Sequence, residues 1–260
     1  MSQVLTKDTC GQNSGYSDED KTSQDRMLDL CRRLKKNDLG RVLIEFAILA
    51  DVNIYLTNEI ETAGFYQRTV FDDHEIYLNA DCDDYTLFVA LAHELRHLAQ
   101  NITLDCTLHD FSLEDAIVLN RFLEADASAY SNAVALIEYQ ETGDEKFIKA
   151  SAVYSEQDIM KAIKDTFVSG KPISKNKDAL RAGFNAWFTK KKRVKHYDKA
   201  VKAQQKEFKD SVASLFYIKD AKRLSNVFVS KVGAVVPRVN YLRGKGAPNL
   251  MSDKYRPSSA

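Results

Sequence analysis

The chain has 260 residues, 44% of them hydrophobic and 28% charged, with 37 Lys and Arg balanced by 37 Asp and Glu. That length can bury a core, in one large domain or in one domain with a helical extension. No stretch approaches the run of about eighteen apolar residues that a membrane-crossing helix needs.

The opening "MSQVLTKDTCGQNSGYSDEDKTSQD" is polar and has no apolar signal-peptide region, so the expectation is a cytoplasmic protein with no membrane partner, or one exported without such a signal. Cys10, Cys31, Cys82 and Cys106 lack C-x-x-C spacing, which argues against a disulfide framework and against a cysteine-held metal. Residues 1–130 hold 11 Lys and Arg against 24 Asp and Glu, whereas residues 131–260 hold 26 against 13. Such halves can attract each other, or the basic one can meet an acidic partner; a helical region with a solvated lysine face accounts for the same numbers.

Residues 1–24 are polar and aperiodic and read as disordered. "DRMLDLCRRLKK" and "LGRVLIEFAILA" have helical spacing, with Gly40 as the expected break between them. "VNIYLT" alternates like a strand, and "GFYQRTV" and "EIYLN" flank Asp72-Asp73-His74 as a hairpin would. Asp83 or Asp84 caps a helix running to about Gln100; Ser112 with Asp115 forms a capping-box-like start to a second helix, reaching about Thr142. Beyond Gly143 the pattern is almost wholly helical, through "EQDIMKAIKDTF", "DALRAGFNAWFTKKKRVKHYDKAVKAQQKEF" and "SLFYIKDAKRLSNVFV". The tail from about Gly233 holds three of the four prolines and is expected to be extended or disordered. The expected organisation is therefore a disordered start (1–24), an α+β core (25–142) with a small sheet near 52–79, a basic helical region (143–232) and a tail (233–260).

The first long helix contains His93-Glu94-Leu95-Arg96-His97, which reads H-E-x-x-H. Residues four apart lie above one another on a helix face, so His93 and His97 can grip one zinc ion. Glu94, next to the first ligand, can take a proton from a water that the zinc has acidified. In a chain with five His the pattern arises by chance in roughly one shuffled sequence in two hundred, so it outweighs the alternative of two hydrogen-bonded core histidines. A catalytic zinc needs a third protein ligand and an open position. The second helix, "NRFLEADASAYSNAVALIEY", offers Glu124 on a face of small and apolar residues; Asp126 is the alternative ligand, or an acceptor for a histidine ring N–H. Tyr130, one turn after Asp126, is the candidate donor to a developing oxyanion, with His109 and Arg96 as weaker alternatives.

A hairpin, then "LAHELRHLAQ", then a helix bearing "LEADASAY" resembles the compact gluzincin metallopeptidases, and more narrowly the bacterial and phage metallopeptidase domains in which H-E-x-x-H is followed by a short Glu-x-Asp motif. The resemblance covers roughly residues 43–135. It implies a zincin-like fold, zinc held by His93, His97 and Glu124, Glu94 as general base, and a peptide substrate pairing along "EIYLN" as an edge strand. The familiar third-ligand pattern is E-x-x-x-D, whereas here two residues separate Glu124 from Asp126. A rival reading keeps the gluzincin core but makes the chain an inactive binding or regulatory protein. In the basic half, "FTKKKRVKHYDKAVKAQQKEFKD" sets lysines beside Trp187, Phe188 and Tyr197, a composition that can bind nucleic acid, although a solvated amphipathic helix explains it more simply.

Overall fold

The first two helices among the described residues are α1 (Asp18–Lys36) and α2 (Asp38–Leu49). The computed structural model describes residues 3–4, 18–69, 71–151, 156–171, 176–210, 222–233, 240–243, 245, 247–252 and 254–256. Helix α1 buries Met27, Leu30, Cys31 and Leu34, the i, i+3, i+4, i+7 stripe of an amphipathic helix. It begins at Asp18, inside the segment expected to be disordered; Gln3 and Val4 form a short strand, and the rest of that segment lies outside the described residues. The break between the helices is at Asn37, whose side chain caps α2 by accepting the Gly40 N–H at 2.7 Å. Gly40 sits within the first turn of α2. An added Cβ there would come within 2.0 Å of the Leu34 carbonyl oxygen, so the residue serves a close crossing and is not the break.

The sheet is mixed, in the order β1 (Gln3–Val4), β2 (Asn53–Thr57), β4 (His74–Asn79), β3 (Gly64–Arg68). Strand β2 runs parallel to β4 (Ile54 opposite Ile76), and β3 runs antiparallel to it (Tyr66 opposite Ile76). The expected hairpin is present, with Asp72 at φ 74° and the Thr69 N–H donating to the Asp73 carbonyl at 2.8 Å. Ile54, Ile76 and Leu78 face the core, while Tyr55, Tyr77 and Phe65 stack at 4.8 Å spacings across the neighbouring strands. The edge strand is β3, not "EIYLN": β4 is flanked by β2 and β3 and has no free edge.

Helix α3 (Asp84–Leu104) lies against β3 and β4, capped by Asp83 accepting the Thr86 N–H at 2.7 Å. It runs one turn past Gln100, to a left-handed Asp105. Helix α4 (Leu113–Thr142) starts at the Ser112 cap and ends at Gly143 in the left-handed conformation. Its Asp115 carboxylate accepts from the Leu224 N–H, which ties the helix start to the C-terminal region. Helix α4 is buried along most of its length because α3 packs on one side and α6 (Gln157–Thr166), α7 (Lys177–Trp187) and α8 (Lys191–Asp210) pack on others.

A short α5 (Lys146–Ala150) and α9 (Asn226–Val229) complete the helices among the described residues. Of the helical stretch expected at "SLFYIKDAKRLSNVFV", residues 214–221 lie outside the described residues and only Asn226–Val229 is seen as α-helix. Among the described residues one cluster of buried hydrophobic side chains runs from Met27 to Tyr255 and includes residues on both sides of position 142. The tail is irregular but packed: Tyr241, Leu250 and Tyr255 are buried, and the Tyr255 ring stands 4.7 Å from Phe188 and 5.4 Å from Phe122. Aromatic pairs of this kind add about 0.5–1.5 kcal/mol each beyond their burial. Cys31, Cys82 and Cys106 are free thiols, and Cys10 lies outside the described residues. Among the described residues no helix is long and apolar enough to cross a membrane.

Candidate metal centre

One turn of α3 separates His93 from His97, and α4 crosses at the point that brings Glu124 to both. The two Nε2 atoms stand 3.1 Å apart; His93 Nε2 is 3.5 Å from one Glu124 oxygen, and His97 Nε2 is 3.6 Å from the other. Three ligand atoms about 2.0–2.2 Å from one tetrahedral zinc stand roughly 3.3–3.6 Å from one another; the imidazole pair here is a little tighter and the two Glu124 distances end on different oxygens, so small side-chain shifts bring this donor set onto one ion. It is the one group of three His, Cys, Asp or Glu side chains so arranged among the described residues.

The three side chains are largely buried, with only 10–15% of each exposed. Burial disfavours the charged form of both imidazoles, but the adjoining Glu124 carboxylate outweighs it. The His93 pKa rises to about 9, and that of His97 rises as well. Glu124, which burial alone would push up, is held well below the usual carboxylate range by the two imidazoles.

Behind His97 stands a hydrogen-bonded relay. Its Nδ1 meets Gln100 Oε1 at 2.8 Å, while the Gln100 amide nitrogen donates to the Leu123 carbonyl (3.0 Å) and to Asp126 (2.6 Å). Asp126 is fully buried and also accepts from Arg96 Nε (2.6 Å), Arg96 Nη2 (3.0 Å) and the Tyr241 hydroxyl. The structure therefore corrects both roles expected of Asp126. It does not join the ligand cluster, and it reaches a histidine only through Gln100. Arg96 is occupied by the same carboxylate and by the Val232 carbonyl at 2.8 Å, which removes it as an oxyanion donor.

Glu94 is buried beside the two ligands. Burial raises its pKa, the imidazoles partly offset this, and the Tyr66 backbone N–H hydrogen-bonds the carboxylate. Strand β3 approaches closely here, since a Cβ on Gly64 would come 3.3 Å from Glu94 Cγ. The ladder bonds at Ala63 and Thr69 fix the alternation along β3, so Gly64, Tyr66 and Arg68 turn their backbone groups to the open edge, on the side of Glu94.

Tyr130 is not at the cluster: its hydroxyl donates to the Leu39 carbonyl at 3.1 Å and its ring lies under Arg96. His109 is stacked on Phe208 at 3.9 Å, at the far wall of the adjoining cavity. Sequence reasoning missed Gln100 and Tyr241 in the relay, and two residues nearer the cluster. Tyr197, on α8, hydrogen-bonds Glu124 and lies near Glu156 and Glu94; these carboxylates, with burial, raise its pKa well above the phenol range. Glu156 is buried and accepts from Ser128 (2.5 Å) and Asn132 (2.6 Å), one and two turns beyond Glu124 on α4. The signal for Tyr197 was its place in the inward-facing series Val194, Tyr197, Val201 of a lysine-rich helix. No local pattern marks Glu156. Trp187 is fully buried against Phe188 and Tyr197, so this ring is not presented to a nucleic-acid base.

From His97 and Glu124 a cavity of about 500 Å³ extends between β3, the end of α3 and Gln204 of α8. It leaves an open side to the three-ligand cluster. No curated protein and no solved structure was found to match the chain. A family model does match, over residues 5–241, and its description is "Putative metallopeptidase family (DUF6782)". With nearly its whole length matched, and with two histidines and a glutamate converging as metal ligands, this chain belongs to that metallopeptidase family.

Proposed function

We propose that the chain is a zinc-dependent peptidase of the gluzincin type, with His93, His97 and Glu124 as ligands. The observation that carries this reading is the convergence of two imidazole nitrogens and a carboxylate, 3.1–3.6 Å apart, on one buried point between two helices. Zinc bound there supplies Lewis acidity toward a water and a substrate carbonyl. Glu94, whose pKa burial raises, accepts the proton of the attacking water on its carboxylate and hands it to the departing amine nitrogen. The Tyr197 hydroxyl, already directed at Glu124, donates to the carbonyl oxygen as that oxygen gains charge, the role first sought in Tyr130. An extended peptide pairs with the open backbone groups of β3, in place of "EIYLN".

The test is metal content by plasma mass spectrometry on protein purified without chelator or affinity-tag metal. We expect about one zinc per chain, absent from His97→Ala and Glu124→Ala, and a Glu94→Gln variant that keeps zinc but no longer cleaves a peptide library. A wild type that takes up no transition metal even after soaking would overturn the reading. Cleavage undiminished in Glu94→Gln would remove the general base and leave a metal-binding protein.

A further inference from the structure

We propose that the cavity beside the ligand cluster receives the side chain of a substrate residue adjoining the scissile bond, and that it selects an uncharged one. This rests on the peptidase reading above. The cavity begins at His97 and Glu124 and is walled on one side by Tyr66 to Arg68 of edge strand β3. A peptide paired along that edge directs alternate side chains inward, where this space takes one of them. Its volume, about 500 Å³, is roomy for any single side chain, so charge and not size does the selecting.

Apart from the ligands His97 and Glu124, the described residues that line the cavity bring one fixed charge, that of Arg68. Leu104, Leu119 and Leu123 form an apolar surface, and Asn101, Asn120 and Gln204 supply neutral amides that both donate and accept. The Arg68 guanidinium at the mouth already faces Asp72 and Asp105. Burial lowers the His109 pKa, which favours the neutral imidazole, and lifts the Cys106 thiol to about 11. Among the described residues of the lining, a lysine, arginine or acidic side chain entering this space finds no opposite charge that is not already engaged. An aliphatic side chain meets the leucines, and an amide or hydroxyl tip finds partners among the three amides.

The experiment uses the zinc-loaded full chain on a random peptide pool, with the cleaved bonds read by mass spectrometry. On one side of the cut we expect Lys, Arg, Asp and Glu together to be depleted at least tenfold relative to the pool, with Leu, Met, Gln and similar residues in their place. Asn120→Asp should then restore Lys and Arg at that position while zinc content stays the same. Charged residues at pool frequency on both sides of the cut, or a preference untouched by Asn120→Asp, would overturn the inference and leave the peptidase reading standing. A pool left wholly uncut would overturn both.

Discussion

Helix α4 carries two carboxylates two residues apart, and the regions they occupy could hardly differ more. At about 100° per residue, Glu124 and Asp126 point roughly 200° apart around the helix. Glu124 looks across to α3 at two imidazoles and keeps 14% of its side chain exposed at the cavity. Asp126 looks the other way into a closed interior, where Arg96, Gln100 and Tyr241 together give it four hydrogen bonds. Both acids are paired, but only one set of partners can yield. Two imidazoles can give up protons to a metal ion, whereas a guanidinium cannot. A carboxylate whose oxygens are already filled by donors has nothing left to offer a cation. The contrast separates a site built for exchange from a site built for permanence.

The sharpest way to break that contrast is to delete each acid. Asp126→Ala leaves the fully buried Arg96 without a counter-charge and should cost about 3–5 kcal/mol of stability, read from urea unfolding of metal-free protein. Glu124→Ala should abolish zinc binding yet, at about pH 9.5 where the His93 proton is already largely lost, unfold at nearly the wild-type midpoint, because its histidine partners can simply become neutral. If Glu124→Ala proves as destabilising as Asp126→Ala, both sites are structural and the distinction fails.

Next in size is the residue contributed to the Glu124 side from α8. Tyr197→Phe removes the hydroxyl bonded to Glu124 and keeps the ring packed near Trp187. Loss of one donor to a developing oxyanion costs about a hundredfold to a thousandfold in kcat, with KM nearly unchanged and zinc retained. Steady-state kinetics decide it: a rise in KM alone would make Tyr197 a substrate contact.

These two regions were unequally legible in the sequence. His93, Glu94 and His97 could be read because helix geometry alone sets the i, i+4 spacing, and Glu124 because it sat on a face of small residues one helix away. Strands 53–57, 64–68 and 74–79 were legible from alternation, and the Asp83 and Ser112 caps from their residue types. The strand order was not, since "EIYLN" carries no mark of its parallel pairing to "VNIYLT", and that pairing makes β3 the edge. Tyr197, Glu156 and Tyr241 were hidden for a related reason. They reach α4 across separations of 24 residues or more, and only tertiary packing brings them there. Tyr130 was misread because its hydroxyl already had a partner in the Leu39 carbonyl.

Acidity offers a further test of which region yields. In metal-free protein the His93 pKa is raised from 6.5 to about 9 against the opposition of burial, chiefly by its hydrogen bond to Glu124. The folded state thus holds that proton more tightly than the unfolded one. The resulting stabilisation is complete below about pH 6.5 and is lost as the pH climbs through about 9. At 1.36 kcal/mol per unit it is on the order of 3 kcal/mol. Zinc-bound imidazoles carry no proton to lose, so the zinc-loaded protein should not show this decline. Urea midpoints at pH 6.5 and 9.5, with and without zinc, read the difference, and Glu124→Gln should flatten the metal-free curve. A metal-free protein equally stable at both values would mean that Glu124 does not hold the imidazoles charged.

The smallest expected effect joins the two regions. Gln100 stands between them, and its amide orientation follows from its neighbours: the nitrogen faces two acceptors, the Leu123 carbonyl and Asp126, which leaves the oxygen for His97 Nδ1. That oxygen can only accept, so His97 carries its hydrogen on Nδ1 and keeps the Nε2 lone pair aimed at the ligand cluster. Gln100→Leu deletes the acceptor without touching a ligand. Zinc affinity should fall about 10–100-fold, with one zinc still bound at saturation. Competition with a chromogenic chelator gives the affinity, and nitrogen NMR of the zinc-free protein at a pH above the imidazole pKa values should show His97 losing its Nδ1–H preference. An unchanged affinity and tautomer would mean that the permanent site and the exchangeable one share a helix and nothing more. A fall in both would show Asp126 reaching the metal after all, through a side chain whose direction it sets.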